Sequence, residues 1–97
     1  MHPLDIINKL DSTLFDHVEK TRAMALEDGA LSKKHKLLIA LALDAAHGAA
    51  AGVKTLAVMA QKSGATKEEI LEAVRVADYI AGVGSVYTAA NAFQDLF

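Results

Sequence analysis

Proline, the residue that most strongly interrupts a helix, occurs once in this 97-residue chain, at position 3. Inside a helix a proline removes a backbone donor and clashes with the preceding turn, whereas in the first turn its missing N–H costs nothing. Alanine, leucine, lysine and glutamate, all strong helix formers, dominate the rest of the chain. We therefore predict an all-α fold with Pro3 in the first turn of its first helix.

Hydrophobic spacing and capping signals divide the chain into five to six predicted helices. Apolar residues recur every three or four positions in the N-terminal third, at Leu4, Ile7, Leu10, Leu14 and Val18. Asp11–Ser12 can split this stretch into two helices, and we expect Gly29 to end it. Ser32 is a good N-cap for the next helix, because its hydroxyl can accept a bond from a free backbone N–H.

The middle of the chain contains its longest fully apolar run, Leu37–Leu43. A helix that is apolar on every side is buried on every side, so we predict that this helix forms the axis of the core. Gly48 and Gly52 then interrupt the pattern, and a further helical stretch follows up to Gly64.

A capping box marks the start of the next predicted helix. In Thr66–Glu69, the threonine hydroxyl and the glutamate carboxylate each satisfy a free backbone N–H. Apolar residues continue at helical spacing until Gly82–Gly84, where we expect a break, and residues 85–96 are predicted to form a last helix.

Length and composition bound the class of protein. A chain of 97 residues is enough for one domain, so we predict a single domain over residues 1–97. A hydrophobic content of 53% is high for so short a chain and would leave much apolar surface wet in a monomer, so we expect a homo-oligomer. The net charge of −2 predicts no binding to nucleic acid.

The N-terminus and the cysteine count bound location and chemistry. The first ten residues lack the basic segment and apolar core of a signal peptide. The longest apolar run is far below the roughly 20 residues that span a bilayer, so we predict a cytoplasmic protein without membrane association. The absence of cysteine excludes disulfides, zinc–thiolate sites and protein thiol nucleophiles.

Two segments resemble the carboxymuconolactone decarboxylase and alkylhydroperoxidase-like family. They are KHKLLIALALDAAHG and SGATKEEILEAVRVADYIAGVGSVYTAANAF, and the resemblance is strongest over residues 29–97, with its best part at Gly64–Ile70. It implies an all-helical bundle with a buried helical hairpin at its centre. It also implies a homo-oligomer, with a trimer or hexamer favoured.

The reactive residues of that family are missing from this chain. In the peroxidase branch, a glutamate, two cysteines and a histidine occupy places that fall on Leu37, Ala49, Gly52 and Leu56 here. The histidine of the decarboxylase branch falls on Leu56 again. Thiol peroxidase chemistry needs one thiolate to attack the O–O bond and a second thiol to resolve the sulfenic acid, so the resemblance does not carry this activity over.

Asp44 and His47 are the polar residues left beside those places. At three residues apart on a helix they can touch, so the carboxylate could orient the imidazole as an acid–base pair or merely satisfy it at the helix end. Asp-x-x-His can also be half of a metal site, but two ligands are too few for us to predict a metal or cofactor. Lys54 and Tyr87 are weaker candidates for meeting an anionic substrate.

Two functions follow from these residues. In the first, the chain is a non-redox enzyme acting on a small organic acid or lactone, with His47 as base, Asp44 orienting it, and Lys54 or Tyr87 binding the negative charge. In the second, it is a catalytically silent oligomer that binds a small-molecule ligand or acts as a scaffold.

Overall fold

The computed structural model describes residues 3–97, so the first two residues of the predicted domain lie outside the described range. Within it the chain forms helices and no strand, which confirms the all-α prediction. The helices are α1 (Leu4–Leu10), α2 (Ser12–Leu26), α3 (Lys33–Ala46), α4 (Ala50–Lys62), α5 (Lys67–Ala81) and α6 (Gly84–Phe93). None of them is long and apolar enough to cross a bilayer.

The first two helices form what we call the N-terminal arm. Asp11 separates them, since its backbone is non-helical (φ −155°, ψ 87°) and its carboxylate accepts a 3.0 Å hydrogen bond from the Leu14 N–H at the start of α2. The second helix ends at Leu26, three residues before the predicted Gly29, because Glu27 is already extended. Neither helix of the arm contains a buried residue.

A hairpin of α3 and α4 forms the centre of the fold, as predicted, and small residues hold its helices close together. The fully buried residues of α3 and α4 are Leu37, Leu41, Ala45, Val53, Ala57 and Ala60. Ile70 and Val74 of α5 and the alanines Ala89 and Ala92 of α6 complete the core. Alanine allows helix backbones to approach, and the buried leucines and isoleucine fill the space between them.

The prediction that the Leu37–Leu43 run is buried on every side is wrong for a single chain. Leu37 and Leu41 are completely buried, but Ile39 and Leu43 are 49% and 56% exposed. The helical repeat of 3.6 residues places positions 39 and 43 opposite positions 37 and 41. The neighbouring helices of the same chain cover only one of these faces.

The capping box at the start of α5 is present and ties α5 to α3. The Thr66 hydroxyl accepts from the Glu69 N–H at 3.1 Å, and the Glu69 carboxylate accepts from the Thr66 N–H at 2.9 Å. The other carboxylate oxygen of Glu69 accepts from the Lys34 ammonium of α3 at 3.0 Å. At its far end α5 stops at Gly82, whose φ of +92° is a left-handed conformation that glycine adopts readily.

The contacts of Glu69 predict how the free energy of unfolding depends on pH. The Thr66 backbone hydrogen bond first, and then the Lys34 ammonium, lower the pKa of the Glu69 carboxyl in the folded protein. A lowered folded pKa stabilises the fold above the unfolded pKa and loses this effect as the pH falls through the folded value. Glu69→Gln should therefore reduce the loss of unfolding free energy between about pH 5 and pH 3 in denaturant titrations.

Glu68→Gln provides the matched control for this experiment. Glu68 is also in the first turn of α5, but it takes no part in the capping box. This variant should keep the acid dependence of the wild type. An unchanged acid dependence in Glu69→Gln would contradict the assignment.

Candidate functional site

The junction between α3 and α4, which we define as Asp44–Gly52, contains the two main candidates. Helix α3 ends at Ala46, and His47 follows as its C-cap. Gly48 reverses the chain with a φ of +78°, and α4 begins at Ala50. A left-handed turn of this kind is available to glycine without steric penalty, so Gly48 allows α4 to fold back along α3.

The Asp44 carboxylate lies against Gly52 in the first turn of α4. A Cβ atom added at Gly52 would collide with a carboxylate oxygen of Asp44 and would lie 3.0 Å from its Cγ atom. The carboxylate therefore occupies the volume into which a side chain at position 52 would project. A negative charge is favourable here, because the first turn of a helix carries free N–H groups and the positive end of the helix dipole.

His47 does not share this environment. Its side chain is exposed at the end of α3, and its backbone N–H donates to the Leu43 carbonyl at 3.0 Å. Within residues 3–97, the imidazole and the Asp44 carboxylate form neither a hydrogen bond nor an ion pair with each other. Asp44 and His47 are therefore close in sequence, but their side chains do not contact each other through a hydrogen bond or an ion pair.

The two weaker candidates lie apart from the junction's carboxylate. Lys54 pairs with Asp95 near the C-terminus, with 3.5 Å between its ammonium nitrogen and the carboxylate oxygen. Both side chains are well exposed, and such surface pairs contribute little to stability. Tyr87 of α6 is 70% exposed. No described side-chain hydrogen bond or ion pair connects Lys54 or Tyr87 to Asp44 or His47.

The described residues supply too few neighbouring ligands for a metal site. Among residues 3–97, no group of three or more His, Asp or Glu side chains is placed to hold a metal ion. Asp44 and His47 alone supply at most two ligands from one chain, short of the four that a structural zinc site uses.

An apolar groove between α3 and α5 is the feature that the sequence interpretation missed. It encloses about 460 Å³. Its apolar lining comes chiefly from Leu31, Leu38, Ile39, Leu43, Ala73 and Val76, with Glu69 and Glu72 among the lining residues. The Leu37–Leu43 run could have indicated it, because the run is apolar on two faces of the helix and the second face becomes an exposed apolar surface if the chain buries only the first.

Two comparisons place the chain among known proteins. The model of the carboxymuconolactone decarboxylase family matches residues 13–95. The chain belongs to this family. It is also similar to the crystal structure of the apo form of a carboxymuconolactone decarboxylase family protein from Legionella pneumophila, with 34% identity over 94% of this chain and 81% of that one and a TM-score of 0.88. No curated protein matches the chain.

Family membership confirms the resemblance and the helical-bundle prediction together. The match extends further toward the N-terminus than residue 29, since it includes most of α2. No cysteine occurs in the 97 residues, and the places to which the resemblance assigns the family's reactive residues hold Leu37, Ala49, Gly52 and Leu56. The structure adds that Gly52 faces the Asp44 carboxylate.

The contact between Asp44 and Gly52 predicts a coupled effect on stability. With Asp44→Ala as background, Gly52→Ala should stabilise α4 by about 0.5–1 kcal/mol, because alanine is the better helix former. In the wild type the new methyl group meets the carboxylate, and overpacking of about 1–3 kcal/mol should cancel or reverse that gain. Unfolding in urea measures both differences.

Asp44→Asn separates bulk from charge in this experiment. The amide has nearly the shape of the carboxylate, so Gly52→Ala should remain unfavourable in this background. Equal effects of Gly52→Ala in all three backgrounds would show that the Asp44 side chain does not occupy this volume.

Proposed function

We propose that this chain is a catalytically silent member of the carboxymuconolactone decarboxylase family that functions as a homo-oligomeric binding or scaffold protein. A trimer or hexamer is the favoured assembly. The observation that carries the proposal is the exposed apolar face of α3 and α5, where Ile39, Leu43 and Val76 are between 49% and 61% exposed. A contiguous apolar surface of this kind marks an interaction site in a soluble protein.

The junction supports catalytic silence. The Asp44 carboxylate is packed against Gly52, His47 is exposed without a side-chain partner, and the family's thiols are absent. A general base must lie within hydrogen-bond reach of the proton that it abstracts, and a carboxylate partner would orient the imidazole for this role. The candidates of one chain do not converge in this way.

A non-redox acid–base enzyme is the alternative, and the open surroundings of His47 favour it. The imidazole is accessible to solvent beside Gly48, which has no side chain, and Ala49, which has only a methyl group, so there is room for a ligand. In this alternative Asp44 leaves Gly52 to orient His47, and Lys54 or Tyr87 meets the charge of a small organic acid or lactone. The rearrangement would break the contact between Asp44 and the first turn of α4.

The proposal includes a cytoplasmic location. A chain without cysteine gains nothing from an oxidising compartment, because it can form no disulfide. Fractionation of cells that express the natural protein would test this part, and its recovery outside the cytoplasm would contradict it.

Solution mass tests the assembly. The native mass should be a multiple of the 10.3 kDa chain mass, three- or sixfold, by light scattering after size exclusion. Ile39→Glu should shift the protein toward monomer, because it buries a charge in the proposed interface. Gln61→Glu adds the same charge to an exposed position of α4 outside the groove and should leave the mass unchanged. A wild type that remains monomeric at high concentration would refute the proposal.

A peroxide consumption assay tests the prediction that the protein has no thiol peroxidase activity. With hydrogen peroxide or an organic hydroperoxide and a dithiol reductant, the protein should consume peroxide no faster than the buffer does. The reason is that no side chain here can form the sulfenic acid on which that mechanism depends. Turnover clearly above background would contradict this expectation.

A further inference from the structure

The N-terminal arm has an apolar stripe on α1 that the rest of residues 3–97 leaves exposed. Leu14 of α2, which follows the break at Asp11, is 45% exposed. Ile6 and Leu10 lie four residues apart on α1 and are 56% and 76% exposed. Side chains at this spacing lie along one face of a helix. Helix α1 packs against α2 alone and buries none of its residues. The stripe is therefore available to another surface.

The α3–α5 groove has the complementary properties. It is lined mainly by apolar side chains, among them Ile39, Leu43 and Val76, all about half exposed, and its polar lining residues are His35, Glu69 and Glu72. Grooves of this type receive amphipathic helices through apolar residues spaced three or four apart. The stripe on the arm has this spacing.

Charge complements the apolar match. Lys9 lies in the last turn of α1 beside Leu10, and Glu72 lines the groove. Within residues 3–97 neither side chain has an ion-pair partner. Opposite charges beside two matching apolar surfaces favour one docking register over others.

From these observations we infer that the α3–α5 groove of one copy receives the N-terminal arm of a second copy. Ile6 and Leu10 of the arm then cover Ile39 and Leu43, and Lys9 pairs with Glu72. The inference rests on the proposed assembly and specifies how its subunits are joined. Every copy supplies one arm and one groove, as a symmetric homo-oligomer requires.

A second copy fits these surfaces better than a small apolar ligand does. A ligand in the groove would cover the groove but leave the stripe of the arm in water. Docking of the arm removes both apolar surfaces from water in one step, and this burial is the main favourable contribution to association. The arm does not fill the groove of the same chain, because within residues 3–97 the only helix that α1 contacts is α2.

Cysteine cross-linking tests the contact directly, because the chain contains no cysteine of its own. Lys9→Cys protein is mixed with Glu72→Cys protein, the subunits are allowed to exchange, and the mixture is oxidised. We expect a covalent dimer that mass spectrometry identifies as a disulfide between positions 9 and 72. In the control mixture Lys62→Cys, at an exposed position of α4, replaces Glu72→Cys and should give only background dimer.

A second measurement tests the energetic role of the stripe. Leu10→Glu should raise the concentration at which the assembly dissociates by about tenfold or more, as loss of an interface anchor does. Asn8→Glu places the same charge at another exposed position of α1 and should leave dissociation unchanged. Both variants should keep the wild-type circular dichroism and melting behaviour of the monomer, because α1 contributes no residue to the core.

The outcomes distinguish a failure of the arm-in-groove contact from a failure of the proposed homo-oligomer. A monomeric wild type refutes both. A wild-type assembly that shows only background 9–72 cross-linking, and that Leu10→Glu does not weaken, leaves the oligomer standing and refutes the arm as occupant. In that case a different surface of the copy, or a small apolar molecule, covers the groove.

Discussion

Close packing of α3 against α4, α5 and α6 is the interaction on which the other features depend. Leu37 and Leu41 are completely shielded from water, in a core that six alanines of the neighbouring helices and loops share with Val53, Ile70 and Val74. The alanines allow the backbones to approach, so two leucines, an isoleucine and a valine are the largest fully buried side chains of the fold. A core built in this way is thin. It buries one face of each helix, and the apolar side chains on the other faces stay exposed.

The thin core explains why so much apolar surface stays exposed. Ile39 and Leu43 belong to the same run as the buried leucines, but they face outward into the groove beside α5. The N-terminal arm contributes no buried residue at all. Both surfaces are apolar, and Lys9 on the arm is opposite in charge to Glu72 in the groove. Assembly would thus bury apolar surface that a single chain of 97 residues is too small to bury.

The α3–α4 junction shows how a family fold can persist without its reactive groups. Gly52 has no side chain in the first turn of α4, and the Asp44 carboxylate occupies the volume into which a side chain there would project. His47 remains outside this contact. Fold and reactivity are therefore separable here, and chemistry has to be argued from the residues present.

The sequence alone determined the helical class, the capping box at Thr66, the break at Gly82 and the absence of thiol chemistry. These depend on local backbone preferences and on which residue types are present, and both can be read from the chain. It could not tell which face of the Leu37–Leu43 helix is buried, because this depends on how many neighbours surround the helix. Nor could it show that Asp44 contacts Gly52 rather than His47. Helical spacing allows the pairing with His47, but only the reversal at Gly48 brings the first turn of α4 next to the carboxylate.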